Sequence, residues 1–549
     1  VRRGHRRAAQ PRVAGAAAVL AQRHPTWTGP QLKAQLMASA KEVGDTPDHV
    51  GTGLLDVRRA VVQDVRADVG SLSFGLLTWP HTQVHEKTVT YHNDGDQPVT
   101  LQLRHDLGAD FTVPSTVTVP AHGSAPVVVR LDPGKGVGTF HGHLRATADG
   151  VGLTTSVGAY VQEERHALTV RMTGRDGNAP TNEYVLLVDL KTGRSGTLAI
   201  TAEGTGTTTL PASDYALLGR IEQRSALASS YTPISVTEVA GRVSTTADVT
   251  VELDARKGRP ITVDLTDDRV RPLHREVDLS VPAEPGKNSG VTGPVEGSTP
   301  VYGLSFGDPL PQLTYSTTIK AAQPRVSLDG FRLPLRYADS SPYFPPGAHE
   351  FRTARRDGDV KGALVVVEGT DDLYAVAQEL KDAGAAAVLL LGPLPFPDER
   401  QTALPVLSAS DHTAQDLLAQ LGRAVTVRAV DSSPVSYNLF FPEQGALPAG
   451  KTYRVKRDEL AEVRARYLSS GADGVVRQRL YPVYRGATVK NLGVVMDEAL
   501  VAPATRTEYY SAGNGIGWYQ EGIVGRKFGA DARDPEVGVW SDLEPAAFE

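Results

Sequence analysis

The stretch Val84-His-Glu-Lys-Thr-Val-Thr-Tyr-His-Asn-Asp-Gly-Asp-Gln-Pro-Val-Thr-Leu-Gln-Leu103 sets the reading of this chain. Val84, Thr88 and Thr90, then Val99, Leu101 and Leu103, recur at the two-residue period of a half-buried strand. Asn93-Asp-Gly-Asp96 between them is turn chemistry, and the spacing predicts a hairpin. Outward from there the rhythm continues through Val113, Val117, Val119, Val127–Val129, Leu131 and Phe140–Ala146. Turns at intervals of about 8–12 residues suit an immunoglobulin- or fibronectin-like sandwich over 71–162.

Composition agrees with a multidomain, mainly β chain. The 549 residues allow three or four domains at about 150 residues each. Gly (54) and Pro (37) are abundant and Met (3) is scarce, which favours turns and short strands over long helices. The 57 basic and 63 acidic side chains give a formal charge of −6. That argues against a nucleic-acid or anionic-membrane partner, because both need a positive field. The longest apolar runs, Val13–Ala21 and Ala383–Leu391, hold nine residues each, too few for the span of about 18 that crosses a bilayer. With no cysteine, the chain has no disulfide framework, thiolate metal site or cysteine nucleophile.

Residues 1–64 follow a helical period instead. Val13, Ala17, Val19 and Leu20 form a stripe that ends near Arg23 and Pro25. Thr28-Gly-Pro-Gln31 reads as a capping box with Pro30 in the first turn. Leu32, Leu36 and Met37 supply the apolar face of a second helix, which closes before Gly44. Neither helix can bury its own face. The segment is therefore expected to expose apolar surface and to be proteolysed first.

Gln10-Pro-Arg-Val-Ala-Gly15, Ala16–Leu20, His24–Leu32 and Gly51-Thr-Gly-Leu-Leu-Asp56 resemble the end of a subtilisin-like serine peptidase domain. In that family a Gly-Thr-Ser-Met-Ala-x-Pro-His-Val-Ala-Gly motif carries the nucleophile into a buried helix. Laid on this chain, Pro11, Val13, Ala14 and Gly15 agree, Arg12 replaces the His, and the nucleophile position is Arg7. A guanidinium stays protonated and has no lone pair to attack a carbonyl. The family's Asp and His lie far upstream of its Ser, so the resemblance implies a chain without the triad, inactive by itself. The arginine-rich run Val1–Arg7 reads as truncated or frameshifted coding sequence. A signal peptide, basic Arg2–Arg7 before Val13–Ala21, is the alternative, opposed by Pro11, Arg12 and the poor cleavage site Gln22-Arg-His-Pro25.

The sandwich over 71–162 is similar to the β modules that follow the catalytic domain in large peptidases of this family. Residues 166–268, with Asp176-Gly-Asn178 and Lys191-Thr-Gly193 turns between short strands, resemble a prealbumin-type carboxypeptidase-regulatory module; a generic sandwich is the alternative. Pro282–Pro300, with four Pro and four Gly, predicts a linker. Leu304-Ser-Phe-Gly307 repeats Leu72-Ser-Phe-Gly75, so a further β region is expected from 301–356 plus 431–549. Between its halves, Gly362–Val367 and Ala386–Leu391 read as buried parallel strands. They flank a helix capped by Asp371, with Leu373, Val376, Ala377 and Leu380 inward and Gly384 at its end. Leu404–Ser408 and a helix at 411–421 follow. This order resembles a protease-associated (PA) domain over 357–430, non-catalytic in subtilisin-like peptidases and implied to gate or position substrate. Its Leu394, Pro395 and Phe396 offer rigid apolar contacts to an extended peptide, while loops without a basic residue or glycine cradle suit no anion.

Other candidate chemistry is weak. Gly303-Leu-Ser-Phe-Gly307 matches a nucleophile elbow, but Asp308-Pro-Leu-Pro311 forbids the helix an elbow requires. His141 and His143 share a strand face and could share a metal, yet no third ligand is placed. There is no His-Glu-x-x-His for a zinc aminopeptidase. Gly513-Asn-Gly-Ile-Gly517 lacks the strand and lysine of a phosphate cradle. Arg506–Tyr510 with Trp518 resembles a segment of the C-terminal β region of actinobacterial subtilisin-like peptidases, its aromatics expected to pack a core. The expected function is the non-catalytic C-terminal part of a secreted subtilisin-like endopeptidase. Its partners are the parent's protein or peptide substrates, with no cofactor, no metal and an extracellular location. The alternative is a secreted or cell-surface binding protein built of β modules.

Overall fold

The structure, a computed structural model, describes residues 2–180, 183–224, 233–296, 299–331, 335–338, 341–368, 372–391, 402–409, 421–468, 474–484, 487–488, 496–513, 515–526 and 537–541. It is mainly β and multidomain, as the period-two patterning predicts. Two compact units divide it, Val1–Arg165 and His166–Glu549. Among the described residues, no helix is long and apolar enough to cross a membrane.

Unit one opens with helices α1 (Arg2–Arg23), α2 (Gly29–Ala38), α3 (Pro47–Val50) and α4 (Val57–Val62). A sandwich follows: a four-stranded sheet containing His85–Asn93 and Gly123–Leu131 faces a five-stranded one containing Val99–His105, Gly138–Ala148 and Val151–Val161. Tyr91, Leu101, Val127, Leu144 and Leu153 lie in their common core. The predicted hairpin at Asn93–Asp96 does not form, because its two strands belong to different sheets. Asn93 makes the switch: its Nδ2 donates to Gln97 O (2.7 Å) and its Oδ1 accepts from Gly95 N (3.0 Å), bending the chain across the sandwich. The buried side of the first strand is accordingly Val89, Tyr91 and Asn93, while Val84 and Thr88 are exposed.

The capping box at Thr28 does form, with Gln31 Oε1 accepting from Thr28 N at 2.8 Å. The helical segment is not left without a core, which corrects the expectation of stranded apolar surface. Ala16 and Leu20 of α1, Leu36 of α2 and Ala60 of α4 pack together, with Val13 and Val19 about half exposed. Ala38 enters the sandwich core, and buried Gln35 donates from Nε2 to Ala60 O at 2.9 Å. Gly70 lets α2 approach this closely, since a Cβ there would lie 2.4 Å from Met37 Cβ. Leu20 is fully buried, so Leu20→Ala should destabilise unit one by about 2–4 kcal/mol in denaturant unfolding. An unchanged midpoint would mean that α1 packs on nothing.

In unit two, sheets are layered with a separate core in each gap. A three-stranded sheet with Arg165–Thr173 at its centre meets a six-stranded sheet containing Tyr184–Asp189, Asp214–Arg224 and Pro233–Ser244, across Leu168, Leu217 and Leu253. The other face of that sheet meets a second six-stranded sheet across Leu218, Val277 and Tyr315. This second sheet runs Asn288–Glu296, Arg271–Pro282, Thr314–Ala322, Val435–Gln444, Ala504–Ser511, Leu460–Tyr467. Its far side meets the sheet of Gly474–Tyr484 and Ile516–Arg526 through Phe440, Leu480, Tyr510 and Trp518.

Two expectations change here. Within the stretch 282–300, Asn288–Glu296 is an edge strand paired antiparallel with Arg271–Pro282 and not a linker. Pro294 is tolerated because an edge strand need not donate on both sides. Gly293 leaves room for the Arg220 guanidinium, since a Cβ there would stand 1.8 Å from Nη1 in its present position. Val301–Gly307 pairs in parallel with Pro233–Ser244, so it completes the preceding sheet and does not begin a new region. The repeated Leu-Ser-Phe-Gly has a common shape: Ser71–Leu77 also pairs in parallel, with Val151–Val161, and Gly75 and Gly307 both turn with left-handed φ (73° and 63°).

The α/β segment is a seven-stranded sheet spanning Val326 to Ala429. Leu364–Glu368, Ala387–Leu391 and Val406–Ala409 are parallel, and helix α5 (Leu373–Asp382) crosses between the first two. Leu373, Val376, Ala377 and Leu380 are its buried face, as their spacing predicts. Its N-cap is Asp372, not Asp371, accepting from Tyr374 N and Ala375 N at 3.1 Å each. Gly384 closes it at φ 85°. Four strands of this sheet lie within 357–430, and Val326–Leu328, Arg336–Tyr337 and Gly347–Arg355 add to it from outside. The helix predicted at 411–421 falls, except Leu421, outside the described residues.

Sheets buried on both faces carry polar side chains into the dry interior, where each needs a partner. Arg220 donates from Nε to Glu238 Oε1 and from Nη2 to Gly293 O, at 3.0 Å each. Arg275 donates to Thr317 Oγ1 (3.0 Å) and Ile261 O (3.2 Å). Asp278 is worse served: its Oδ1 finds no hydrogen-bond partner among the described residues, and burial pushes its carboxyl up to about 7. Folded Asp278 thus holds a proton between about pH 4 and 7 that the unfolded chain has released, so its contribution to stability falls as pH rises through that window. Asp278→Asn should flatten that decline and stabilise unit two at pH 8 by about 1–3 kcal/mol. A pH–stability profile identical to wild type would contradict the burial of the charge.

Candidate functional site

On the strand Gly138–Ala148 of unit one, His141, His143 and Arg145 alternate onto one face. They meet the turn between α2 and α4 around a cavity of about 460 Å³ lined also by Glu42, Asp106 and Thr52. Arg145 bridges two carboxylates, with Nε 2.6 Å from Glu42 Oε1 and Nη2 2.7 Å from Asp106 Oδ2. Asp106 Oδ1 also accepts from His143 N at 2.6 Å. Gly142 makes room for this, because a Cβ there would lie 2.4 Å from the same oxygen.

Burial works against the Asp106 charge, but the His143 N–H and the Arg145 guanidinium outweigh it and hold the carboxyl below its ordinary value. Burial likewise opposes the Arg145 charge, and its two carboxylates more than restore it. Asp106 is therefore not poised to exchange a proton near neutral pH. His143 Nε2 bonds the Gly51 carbonyl at 2.8 Å, and His141 Nδ1 lies 2.7 Å from Asp48 Oδ2, an ion-pair distance without hydrogen-bond alignment. Their shared face serves to clasp the helical segment. Among the described residues, no group of three or more His, Asp or Glu is arranged to hold a metal.

A second concavity, of about 480 Å³, lies in unit two and is lined by Phe440, Phe441, Pro442, Glu443, Tyr453 and Tyr484. Phe441 and Tyr453 stack at 4.4 Å, and Phe440 meets Tyr484 edge-on at 6.0 Å. The Tyr453 hydroxyl donates to Glu443 Oε1 at 3.0 Å, and Lys451 pairs with the same carboxylate. Burial raises the Tyr453 phenol, so it stays a neutral donor. Among the described residues, this lining has apolar rings and one anchored carboxylate, the character of a binding cleft.

The residues singled out in the sequence are scattered. Arg7, Pro11, Val13, Ala14 and Gly15 all lie within the continuous helix α1, and the last four are exposed. Ser305 is an exposed residue of the strand Val301–Gly307, with a turn and prolines after it. Tyr510 and Trp518 are core residues in edge contact at 5.6 Å, with Trp518 Nε1 donating to Ser511 O at 2.9 Å. Leu394, Pro395 and Phe396 lie outside the described residues. The sequence reading did not find the aromatic cleft, although Phe440-Phe441-Pro442 at a strand end was an available signal.

No family model matches the chain. The minor extracellular protease Vpr of Bacillus subtilis (strain 168) is 29% identical over 147 residues, 24% of this chain and 18% of that protein. The chain thus spans under a fifth of that relative's length. The Bacillus anthracis TIE protein aligns with 89% of this chain and 76% of its own at 10% identity and a TM-score of 0.22. BcpA, the major pilin subunit of Bacillus cereus, aligns with 34% and 67% at 10% identity and a TM-score of 0.16. Part of the chain is therefore similar, at low identity, to an extracellular protease.

Arg145→Met should lower the stability of unit one by about 1 kcal/mol at low salt, the scale of a partly exposed ion-pair network. It should also weaken the loss of stability on acidification. The Asp106 contribution is complete above the ordinary carboxylate value and disappears as pH falls through its lower folded value, and the variant keeps only the His143 N–H part. Equal acid sensitivity in the two proteins would contradict this assignment.

Proposed function

We propose that this chain is the non-catalytic C-terminal part of a secreted subtilisin-like serine endopeptidase, which contributes β modules and a PA-like insert and does not itself hydrolyse peptides. The observation that carries the reading is Arg7, which occupies the nucleophile position of the motif inside helix α1 and cannot attack a carbonyl. The partial identity to an extracellular protease supports the parentage. In this reading residues 1–64 are the end of a peptidase domain, 71–162 a fibronectin- or immunoglobulin-like module, and 166–268 a prealbumin-like module. Residues 357–430 are the PA-like insert in the remaining β region. The parent's substrates are proteins or peptides met outside the cell.

The aromatic cleft favours a second reading, a secreted binding protein whose modules hold an apolar or aromatic ligand against Phe441 and Tyr453. Enzyme assays separate inactivity from a hidden catalytic site. The chain should hydrolyse neither casein nor short peptide esters, and a serine-directed phosphonate should leave it unlabelled. Stoichiometric labelling of any serine would overturn the non-catalytic reading, and labelling of Ser305 would put a nucleophile on the Val301–Gly307 strand.

A further inference from the structure

The second six-stranded sheet of unit two is covered on both faces, and one of them carries a cluster of polar side chains beside Phe440 and Tyr510. On the other face are Ile319, Tyr437, Leu439 and Tyr509. The clustered side chains are Lys320, Asn438, Arg506 and Glu508, with relative exposures of 2%, 0%, 3% and 1%. Register fixes how close these groups are. Lys320 is directly opposite Asn438 in the antiparallel pair Thr314–Ala322 and Val435–Gln444. Side chains so placed leave the sheet on one face with Cβ atoms about 4.5–5.5 Å apart, well within the reach of a lysine stem. The next strand is parallel, and it sets Glu508 beside Ser436 and Tyr510 beside Asn438, on the same face.

Asn438 has an unusual environment for a buried amide. Neither its Oδ1 nor its Nδ2 has a hydrogen-bond partner among the described residues, so both polar groups stand desolvated and unpaired. Glu508 is held in place: Arg506 Nε donates to its Oε1 at 2.6 Å, and the hydroxyls of Tyr467 and Tyr510 donate to its two oxygens. Burial raises its carboxyl, but Arg506 and then Lys320 draw it below its ordinary value. An amine, a carboxamide and an oriented carboxylate thus share one dry face.

We propose that Lys320 and Asn438 form an intramolecular isopeptide bond, with Glu508 as the proton carrier. Glu508 takes the ammonium proton of Lys320, and the freed Nζ lone pair attacks Asn438 Cγ. As the Nζ–Cγ bond forms, a second Nζ proton passes to Nδ2 and the Cγ–Nδ2 bond breaks. Ammonia leaves and departs as ammonium with the proton Glu508 had taken. No electrons are exchanged and no co-reactant is consumed. The product replaces a buried ammonium and an unsatisfied amide by a neutral secondary amide, removing the cost of desolvating the charge. Positioning by two neighbouring strands supplies the proximity that the same reaction lacks in solution.

Intact-mass measurement of the full chain, denatured after purification at pH 7, tests this. The protein should be lighter than its sequence mass by one ammonia. A tryptic digest should yield a branched species joining the 288–325 segment, uncleaved after Lys320, to the 429–451 segment. Lys320→Arg, Asn438→Ala and Glu508→Gln should each restore the full sequence mass. A wild-type chain at its sequence mass, with cleavage after Lys320 and an unmodified 429–451 peptide, would overturn the proposal whether or not any variant folds. Ammonia loss mapped to another residue, or deamidation of Asn438 without a cross-link, would overturn it equally.

Discussion

Burying a β-sheet on both faces takes water away from side chains that alternate to either side, and every polar one must then find a partner inside. That constraint governs both units of this chain. In unit two it places Arg220 against Glu238 and Gly293 O, and it gathers Lys320, Asn438 and Glu508 on one covered face. In unit one it appears at the seam between helices and sandwich, where Arg145 is shared by Glu42 and Asp106 and His143 satisfies the Gly51 carbonyl. Glycines mark the tightest approaches: Gly142 beside Asp106, Gly293 beside Arg220 and Gly70 beside Met37.

Local chemistry was readable from the sequence wherever a few neighbouring residues decide the outcome. The capping box of Thr28 and Gln31 and the buried stripe Leu373, Val376, Ala377 and Leu380 depend on contacts within one or two turns. Misreadings arose where identical residues suit two outcomes. Asn-Asp-Gly-Asp serves a hairpin or a bend between sheets, and only the long-range pairing of His85–Asn93 with Gly123–Leu131 chooses. Proline and glycine in 282–300 suit a linker or an edge strand. In Val84–Thr90 the spacing of Val84, Thr88 and Thr90 is one residue out of phase with the side that is buried, Val89, Tyr91 and Asn93.

The candidate sites were less legible for a similar reason. Arg145 and Glu42 are 103 positions apart, and no local pattern links them. Arg7 was readable at once, because a motif's nucleophile position needs no fold to be judged. The buried chemistry on the Lys320 face depends on register across three strands, which sequence spacing does not carry.

The segment that resembles a peptidase end is built into unit one through α2, Gln35 and the Arg145 clasp, and it is not an appendage to the sandwich. Native-state hydrogen exchange at rising denaturant tests that claim most directly. The amides of Leu32–Ala38 should open with the same free energy and the same denaturant dependence as those of Val151–Val161, as one cooperative unit. Exchange of the helix amides through a separate opening of lower energy, with the strand amides still protected, would contradict it.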